Sequence, residues 1–279
     1  MKKVLITTDF SANSKAGLRF AIQLASQMPC ELTFFHSYHI MKPVSWAELT
    51  FDRYEESEAL KIKKQLESFV LNVYKSIGVL PGKLKCVIKS SFVTDSNIMK
   101  YASDNQFDFI CISRRGGGKM HKIFGTNTSN LILQSSVPVI AVPNTYRRSR
   151  IESILYASDM ANLDKEIKQV IDFAKPLKAH VELLHLDYPS VVDYNAQIIE
   201  STLKKFPRMG IKFRIEKINL LYNLVSNIEM VIKKNKPSMM IMFTEQNQSF
   251  FEKLFLSSSS AEYALKSSVP LLVFGKNGA

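Results

Sequence analysis

The sequence predicts an α/β protein built from two tandem, doubly wound units, each a parallel five-stranded sheet with helices on both faces. Short apolar runs alternate with amphipathic stretches of helical length, which is typical of parallel sheets covered on both sides. The second half repeats the pattern of the first, which indicates a duplication. The chain has 279 residues, 46% of them hydrophobic, enough for two units of about 140 residues with a core each.

The internal repeat rests on three segments that recur in the same order in both halves. They are residues 4–9 with 154–159, 32–36 with 181–185, and 135–140 with 267–272. A polar, basic segment at 143–150 separates the halves, so we predict domains at 1–146 and 147–279. The second copy is shorter than the first between its second and third strands.

Each element of the first half follows from a local pattern. Apolar runs bounded by polar residues predict the strands, and apolar positions at helical spacing predict the helices. In chain order we expect strand 4–8, a helix carrying Leu18 and Ile22, strand 32–36, helix 51–77, strand 84–88, helix 95–105, strand 107–112, helix 127–134 and strand 137–142. We expect Ser11 or Asn13 to cap the first helix, and Gly78 and Pro81 to end the long one.

The formal net charge of +12 is compatible with a nucleic acid or an anionic ligand. The densest basic cluster, residues 61–64, follows three glutamates in the predicted long helix, and we interpret it as a solvated helix face. The sequence has no basic arm and no nucleic-acid-binding module, so we expect no specific nucleic-acid partner. It has no apolar run of membrane-spanning length, no secretory leader pattern and no CxxC pair, so we expect a cytoplasmic protein that binds no membrane.

The loop after the fourth strand carries most of the functional information. Three consecutive glycines, 116–118, follow the strand, and Gly125-Thr126-Asn127-Thr128 opens the next helix. Glycines allow backbone N–H groups to approach an anion, and a helix start adds free N–H groups and the positive end of its dipole. Basic side chains from Arg114 to Lys122 surround the segment. The loop is a candidate phosphate cradle, although it matches neither the Walker pattern nor GxGxxG, and a ligand-free surface turn is the alternative.

At this loop the sequence resembles the universal stress protein family in its tandem form. The resemblance is carried by residues 7–11, the His36 strand end, residues 108–112, the glycine loop and residues 137–139. It implies an adenine nucleotide alpha hydrolase-like fold. Nucleotide-binding members carry Gly-x2-Gly-x9-Gly-Ser/Thr and bind ATP. Here Ser113 stands at the first glycine, and eight residues, one fewer than the pattern, separate Gly116 from Gly125.

The resemblance implies a binding site for ATP or another adenine nucleotide, with Mg²⁺ as a companion ion, in the first half. The residues it implies are Thr7, Asp9, Ser37, Ile112, Ser113, Gly116, Gly125, Thr126, Asn127 and Thr128. Asp9 falls on the aspartate that family members place near the ribose, but a structural role as a cap explains the residue equally well. The shortened loop leaves a second hypothesis open, a nucleotide-free stress protein that acts only through contacts with an unknown protein partner.

The second half departs further from the pattern. Its equivalent loop, residues 244–260, contains no glycine and places Glu245, Glu252 and Phe250 where a phosphate would lie. We therefore predict that this half does not bind ATP and instead packs against the first. The resemblance implies that the last strands, near 137–142 and 269–274, pair into a pseudo-dimer within one chain. Further pairing of two chains into a homodimer stays open.

No catalytic constellation is present in the sequence. It contains no GxSxG elbow, no HExxH and no Cys/His pair at a recognisable spacing, so we expect a regulatory binding protein rather than an enzyme. We expect His36 and His185, at matching strand ends, to be core or rim histidines. The aromatic connection at 38–54 is interpreted either as a lid over the site or as a contact surface.

Overall fold

The computed structural model describes residues 1–114, 126–158, 160, 162–187, 210–222, 224–243 and 268–274. The first half contains β1 (Lys2–Thr7), α1 (Lys15–Gln27), β2 (Cys30–Tyr38), α2 (Glu48–Ser76), β3 (Lys85–Ser90), α3 (Thr94–Asp104), β4 (Phe109–Ser113), α4 (Thr126–Gln134) and β5 (Val139–Val142). The described parts of the second half contain β6 (Ser153–Ala157), α5 (Leu163–Leu177), β7 (His180–Asp187), β8 (Lys212–Lys217), α6 (Leu224–Asn235), β9 (Met239–Phe243) and β10 (Leu271–Phe274).

The strands of these ranges form one ten-stranded sheet in the order β3-β2-β1-β4-β5-β10-β9-β6-β7-β8. Each half contributes five parallel strands, and the halves join where β5 and β10 pair antiparallel, with Ile140 opposite Leu272. The predicted α/β class, the two parallel five-stranded units and the pairing of the last strands are therefore confirmed. The domain boundary at 147 stays a prediction.

The strand registers give a residue-by-residue equivalence between the halves. Val4 lies opposite Leu32 and Phe109, and its counterpart Ile154 lies opposite Val181 and Met239. The left-handed residues follow the same equivalence, since Phe10 and Gln106 have positive φ in the first half, as do their counterparts at 160 and 236 in the second. The predicted shortening of the second copy also holds, because 46 residues separate β2 from β3 and 24 separate β7 from β8.

The sheet is buried on both faces, which explains why its central strands are apolar at nearly every position. Val4 and Ile6 of β1 point toward one layer, which contains α1, α2 and α5. Leu5 points toward the other layer, which contains α3, α4 and α6. None of the helices in the described ranges combines the length and the apolarity that a bilayer crossing requires.

Element boundaries differ from the sequence predictions by one to three residues at most ends. α2 begins at Glu48, three residues before the expected start, and β5 begins after Pro138, whose carbonyl accepts the Ile110 N–H. The expected capping of α1 by Ser11 or Asn13 is wrong. The N-cap position is Ser14, whose hydroxyl donates to the Ser11 carbonyl and accepts no helical N–H, while Ser11 Oγ accepts the N–H of Ser14 itself at 3.2 Å.

Candidate functional site

A cleft of about 290 Å³ opens at the carboxyl ends of β1, β2 and β4. It lies where the strand order switches direction, with β2 on one side of β1 and β4 on the other, which is the usual ligand position in such sheets. Its lining comprises Thr7, Thr8, Asp9, Ser11, Asn13, Ser14, Phe35, His36, Ser37, Thr94, Ile98, Ile112, Ser113, Asn127 and Thr128. The structure therefore brings together seven of the ten predicted site residues: Thr7, Asp9, Ser37, Ile112, Ser113, Asn127 and Thr128.

The three other predicted site residues have no described side chain. Gly116 and Gly125 lie outside the described residues, as does the rest of the glycine loop from 115 onward. Thr126 begins α4, but its side chain is likewise outside the described part of the chain. Asp9 is the one formally charged group among the described lining residues.

The turn after β1 is shaped by short side-chain contacts. Thr8 Oγ1 accepts the Phe10 N–H at 3.1 Å, and Asp9 Oδ1 accepts the Ser11 N–H at 3.0 Å. Phe10 adopts φ of 61°, which allows the chain to turn between β1 and α1. Asp9 therefore stabilises this turn rather than capping α1, and its exposed carboxylate lies at the mouth of the cleft.

His36 joins the ends of two strands. Its Nδ1 lies 2.8 Å from the Thr8 carbonyl, and because a carbonyl only accepts, Nδ1 carries the proton. Burial lowers the pKa of His36, which favours the neutral ring. His185 makes the equivalent contact with the Ser158 carbonyl at 3.2 Å. The expected rim position of both histidines agrees with these contacts.

Ser113 binds the first turn of α1. Its Oγ accepts the Gly17 N–H at 2.7 Å and donates to the Ser14 carbonyl at 2.9 Å. The side-chain cap that Ser14 does not provide thus comes from a residue 96 positions away. Since its single hydroxyl proton is already donated, Ser113 has no donor left for a ligand. The serine at the first-glycine position has a structural role that the sequence pattern did not indicate.

The hydroxyl of Ser37, unlike that of Ser113, accepts a hydrogen bond without donating its own proton. Asn97 Nδ2 lies 2.7 Å from Ser37 Oγ and 3.2 Å from the Lys89 carbonyl. Because that carbonyl only accepts, the amide nitrogen must face both atoms, and Ser37 must accept from it. The proton of Ser37 is therefore available to an acceptor in the cleft.

The start of α4 presents backbone donors beside the hydroxyls of two threonines that are themselves nearly buried. Thr7 is 6% exposed and Thr128 is 3% exposed, and both line the cleft. Neither hydroxyl forms a hydrogen bond with any residue in the described ranges. α4 is held in place by Asn130, which donates to Asp95 of α3, while Asp95 also accepts the Ser96 N–H at 2.8 Å. The arrangement offers donors and acceptors at a fixed position to a polar ligand.

Arg114 does not lie where the sequence placed it. Its side chain is 4% exposed and is absent from the described lining of the cleft. Burial lowers the pKa of Arg114 to about 10, and Glu229 on α6 opposes that shift. The expectation that this arginine surrounds the phosphate site is therefore wrong, because it is buried with a charge partner from the second half.

Several lining residues were not predicted from the sequence. Thr94 and Ile98 lie four residues apart on α3 and form one wall of the cleft, beside Phe35 of β2. Their helical spacing was visible in the sequence, but only the strand order shows that α3 borders this cleft. The aromatic connection at 38–54 contributes no residue to the described lining, and its Trp46 packs on Tyr54 with ring centroids 5.2 Å apart.

The second half replaces the hydroxyls of the cleft with apolar groups. By strand register, Thr7 corresponds to Ala157 and Ser37 to Leu186. Ser113 corresponds to Phe243, which is buried and stacks on Phe274 with centroids 4.8 Å apart. These replacements agree with the prediction that this half does not bind ATP. Asp159 and the loop at 244–267 lie outside the described residues.

Comparison with known proteins gives a consistent picture. The sequence model of the universal stress protein family matches residues 1–143. The structure is similar to that of a universal stress protein from Archaeoglobus fulgidus DSM 4304, with TM-score 0.71, 17% identity and coverage of 99% of this chain and 98% of that one. It is also similar to a protein of unknown function from Pseudomonas aeruginosa PAO1, with TM-score 0.61, 13% identity and coverage of 99% and 93%. No curated protein matches the sequence.

Proposed function

The chain belongs to the universal stress protein family, and from that premise we propose that its first half binds ATP or another adenine nucleotide in the cleft between β1 and β4. We further propose that the protein is a cytoplasmic, non-catalytic regulator. Nucleotide occupancy would then change its affinity for a protein partner, since a ligand shifts a protein only through unequal affinity for two of its states.

The observation that carries the proposal is a pair of hydroxyls that line the cleft, Thr7 at the end of β1 and Thr128 in the first turn of α4. Thr7 and Thr128 are nearly inaccessible to solvent, border the cleft and form no hydrogen bond within the described residues. Neither hydroxyl oxygen is among the fully buried unpaired polar atoms of the described residues, so both are open to a ligand in the cleft, and a phosphate oxygen satisfies a hydroxyl donor well. The free N–H groups at the start of α4 favour the same anionic occupant.

The same cleft also offers groups that suit a nucleoside. Phe35 and Ile98 supply apolar surface, and Ser37 supplies a donor for a ring nitrogen or a hydroxyl. Asp9 at the mouth is placed to accept from ribose hydroxyls, as the family resemblance implies. The second half is proposed to bind no nucleotide, because the hydroxyls at three equivalent positions are missing there.

The proposal is tested by thermal-shift titration of the purified protein with ATP, ADP, AMP and cyclic nucleotides, with and without Mg²⁺. Ligand at 100 times its Kd is expected to stabilise the binding unit by about 2.7 kcal/mol. Thr7→Val and Thr128→Val each remove one donor to a charged group and are expected to weaken binding by about 1.5–3 kcal/mol. Thr33→Val is the matched control, since Thr33 is fully buried in β2 and lies outside the cleft.

The nucleotide-free hypothesis is the alternative. It is favoured by the single charge in the described lining, the carboxylate of Asp9, which repels phosphates. Absence of any shift with every nucleotide would support it. Equal shifts in the wild type and both cleft variants would show instead that nucleotide binds without these two hydroxyls. The expected result is a shift that falls in Thr7→Val and Thr128→Val and is retained in Thr33→Val.

A further inference from the structure

The long helix α2 has a solvent-facing side that no other element of the described residues covers. The helix spans 29 residues, but its buried residues, Leu66, Val70, Val73 and Tyr74, all lie in its second half. Its first half contains no buried side chain. Polar residues normally occupy the solvent-facing side of a helix, so apolar residues on this side require an explanation.

Three leucines form a straight row on this exposed side. Leu49, Leu60 and Leu71 are spaced eleven residues apart and are 76%, 59% and 46% exposed. Eleven residues make about three turns of α-helix, so neighbouring leucines lie about 20° apart around the helix and the outer two about 40° apart, which places all three on one face. A single exposed leucine is ordinary, whereas a row of about 33 Å on one face indicates a contact surface.

Four charged residues lie between the leucines on the same face. Arg53 and Glu56 lie seven and four residues before Leu60, and Lys64 and Glu67 lie four and seven residues after it. All four fall within about 40° of the leucine row. None of them forms an ion pair within the part of the chain that the structure describes.

The order of these residues is complementary to itself when reversed. If two copies of α2 pack antiparallel about a two-fold axis at Leu60, each residue before Leu60 faces the one equally far after it. Glu56 then faces Lys64 of the second copy, and Arg53 faces Glu67 of the second copy. Leu49 faces Leu71 in the same way, and Leu60 faces itself. Every position of the row therefore meets either an opposite charge or another leucine.

We propose that this row is the interface of a homodimer, in which two chains pack their α2 helices antiparallel about Leu60. A two-fold interface requires that one patch be complementary to itself, and this row meets that requirement at every position. The edge of β5 is not available for contact between two chains, because β5 already pairs with β10 within one chain. The interface is independent of the nucleotide cleft, so its test does not depend on the proposed function.

Sedimentation velocity of the full chain over a range of concentrations tests the proposal with charge reversals. In Glu56→Lys, two lysines face each other at both symmetry-related positions, and in Lys64→Glu two glutamates do. Each variant alone is expected to raise the dimer dissociation constant about tenfold or more. The double variant Glu56→Lys/Lys64→Glu restores both pairs and is expected to dimerise like the wild type.

The most discriminating experiment is a mixture of the two single variants. Each is expected to be largely monomeric alone, yet Glu56→Lys and Lys64→Glu together regain opposite charges at both positions and are expected to form a heterodimer. Lys61→Glu is the matched control, because it makes the same charge change about 100° around the helix from Leu60. The melting temperature of each variant confirms that it is folded.

Four results would overturn the proposal, and the first three concern the variants measured separately. They are a wild type that stays monomeric at all concentrations, a dimer that persists in Glu56→Lys and Lys64→Glu, and a dimer that Lys61→Glu disrupts equally. Failure of the two single variants to associate when mixed would also overturn it, because a different pairing register would then be required.

Discussion

The substitution Gly17→Ala tests whether helix propensity or side-chain packing beside the cleft determines the stability at this position. Alanine is favoured over glycine in a helix by about 1 kcal/mol, so α1 by itself favours the substitution. The structure opposes it, because a Cβ at Gly17 would lie 2.9 Å from Ser113 Oγ and 3.3 Å from Ser113 N. Relief would require movement of a hydroxyl held by two hydrogen bonds and of the backbone at the end of β4.

The opposing contributions decide the sign of the effect. Loss or distortion of the two Ser113 hydrogen bonds costs about 0.5–1.5 kcal/mol each, and overpacking costs about 1–3 kcal/mol. After subtraction of the helix preference, Gly17→Ala is expected to destabilise the protein by about 1–5 kcal/mol. In the Ser113→Ala background the closest contact is removed, so the same change is expected to cost little or to stabilise.

The assay is urea unfolding of the wild type, both single variants and the double variant. Gly82→Ala is the control, because a Cβ there meets no atom within 4 Å. Stabilisation by Gly17→Ala in the wild-type background would refute the reasoning. So would additive effects of Gly17→Ala and Ser113→Ala, since additivity would mean that the two residues are not coupled.

Three further predictions concern other parts of the fold. Thr33→Val is expected to stabilise the protein by about 1 kcal/mol, because the buried Thr33 hydroxyl has no partner among the described residues; a lower urea midpoint would contradict this. Gln27→Leu is expected to cost about 2–4 kcal/mol in calorimetry, because it leaves both backbone groups of the buried Ile151 without the Gln27 amide; a loss below 1 kcal/mol would count against it. Burial lowers the pKa of His36, so the unfolded chain takes up its proton first and stability falls as pH drops below about 6.5; His36→Gln is expected to flatten that fall in urea titrations, and parallel curves would contradict the assignment.

The arrangement of the sheet was largely predictable because its strands are buried on both faces. Such strands appear as short apolar runs, and the repetition of these runs at 4–9 and 154–159 indicated the duplication. The exact ends of the elements were less accessible. α2 begins before its first buried residue by more than four turns, so burial does not define its start.

The candidate site was predictable in its location but not in the roles of its residues. The hydroxyls of Thr7 and Thr128 lie at strand and helix ends, where the sequence placed them. The role of Ser113 depends on Gly17, which is 96 residues away, and no local pattern links the two. Likewise, Arg114 follows directly after β4, but only the packing of the two halves shows that it is buried near Glu229 rather than facing a ligand.

The row of leucines on α2 is visible in the sequence, but the sequence does not show whether the row is buried or exposed. Basic residues at 61–64 were interpreted as a solvated face, and they are exposed apart from the half-buried Ile62. The leucines of the same row recur at helical spacing, as the residues of a buried stripe do. Only the structure shows that Leu49 and Leu60 point into solvent.

The most direct test of the central claim is the nucleotide stoichiometry of freshly purified protein, measured by denaturation, chromatography and mass spectrometry and followed by equilibrium binding of ATP. The account predicts one adenine nucleotide per chain, reduced in Thr7→Val and Thr128→Val and unchanged in Thr33→Val. Two nucleotides per chain would contradict the loss of binding in the second half, and none under any condition would contradict nucleotide binding by the cleft.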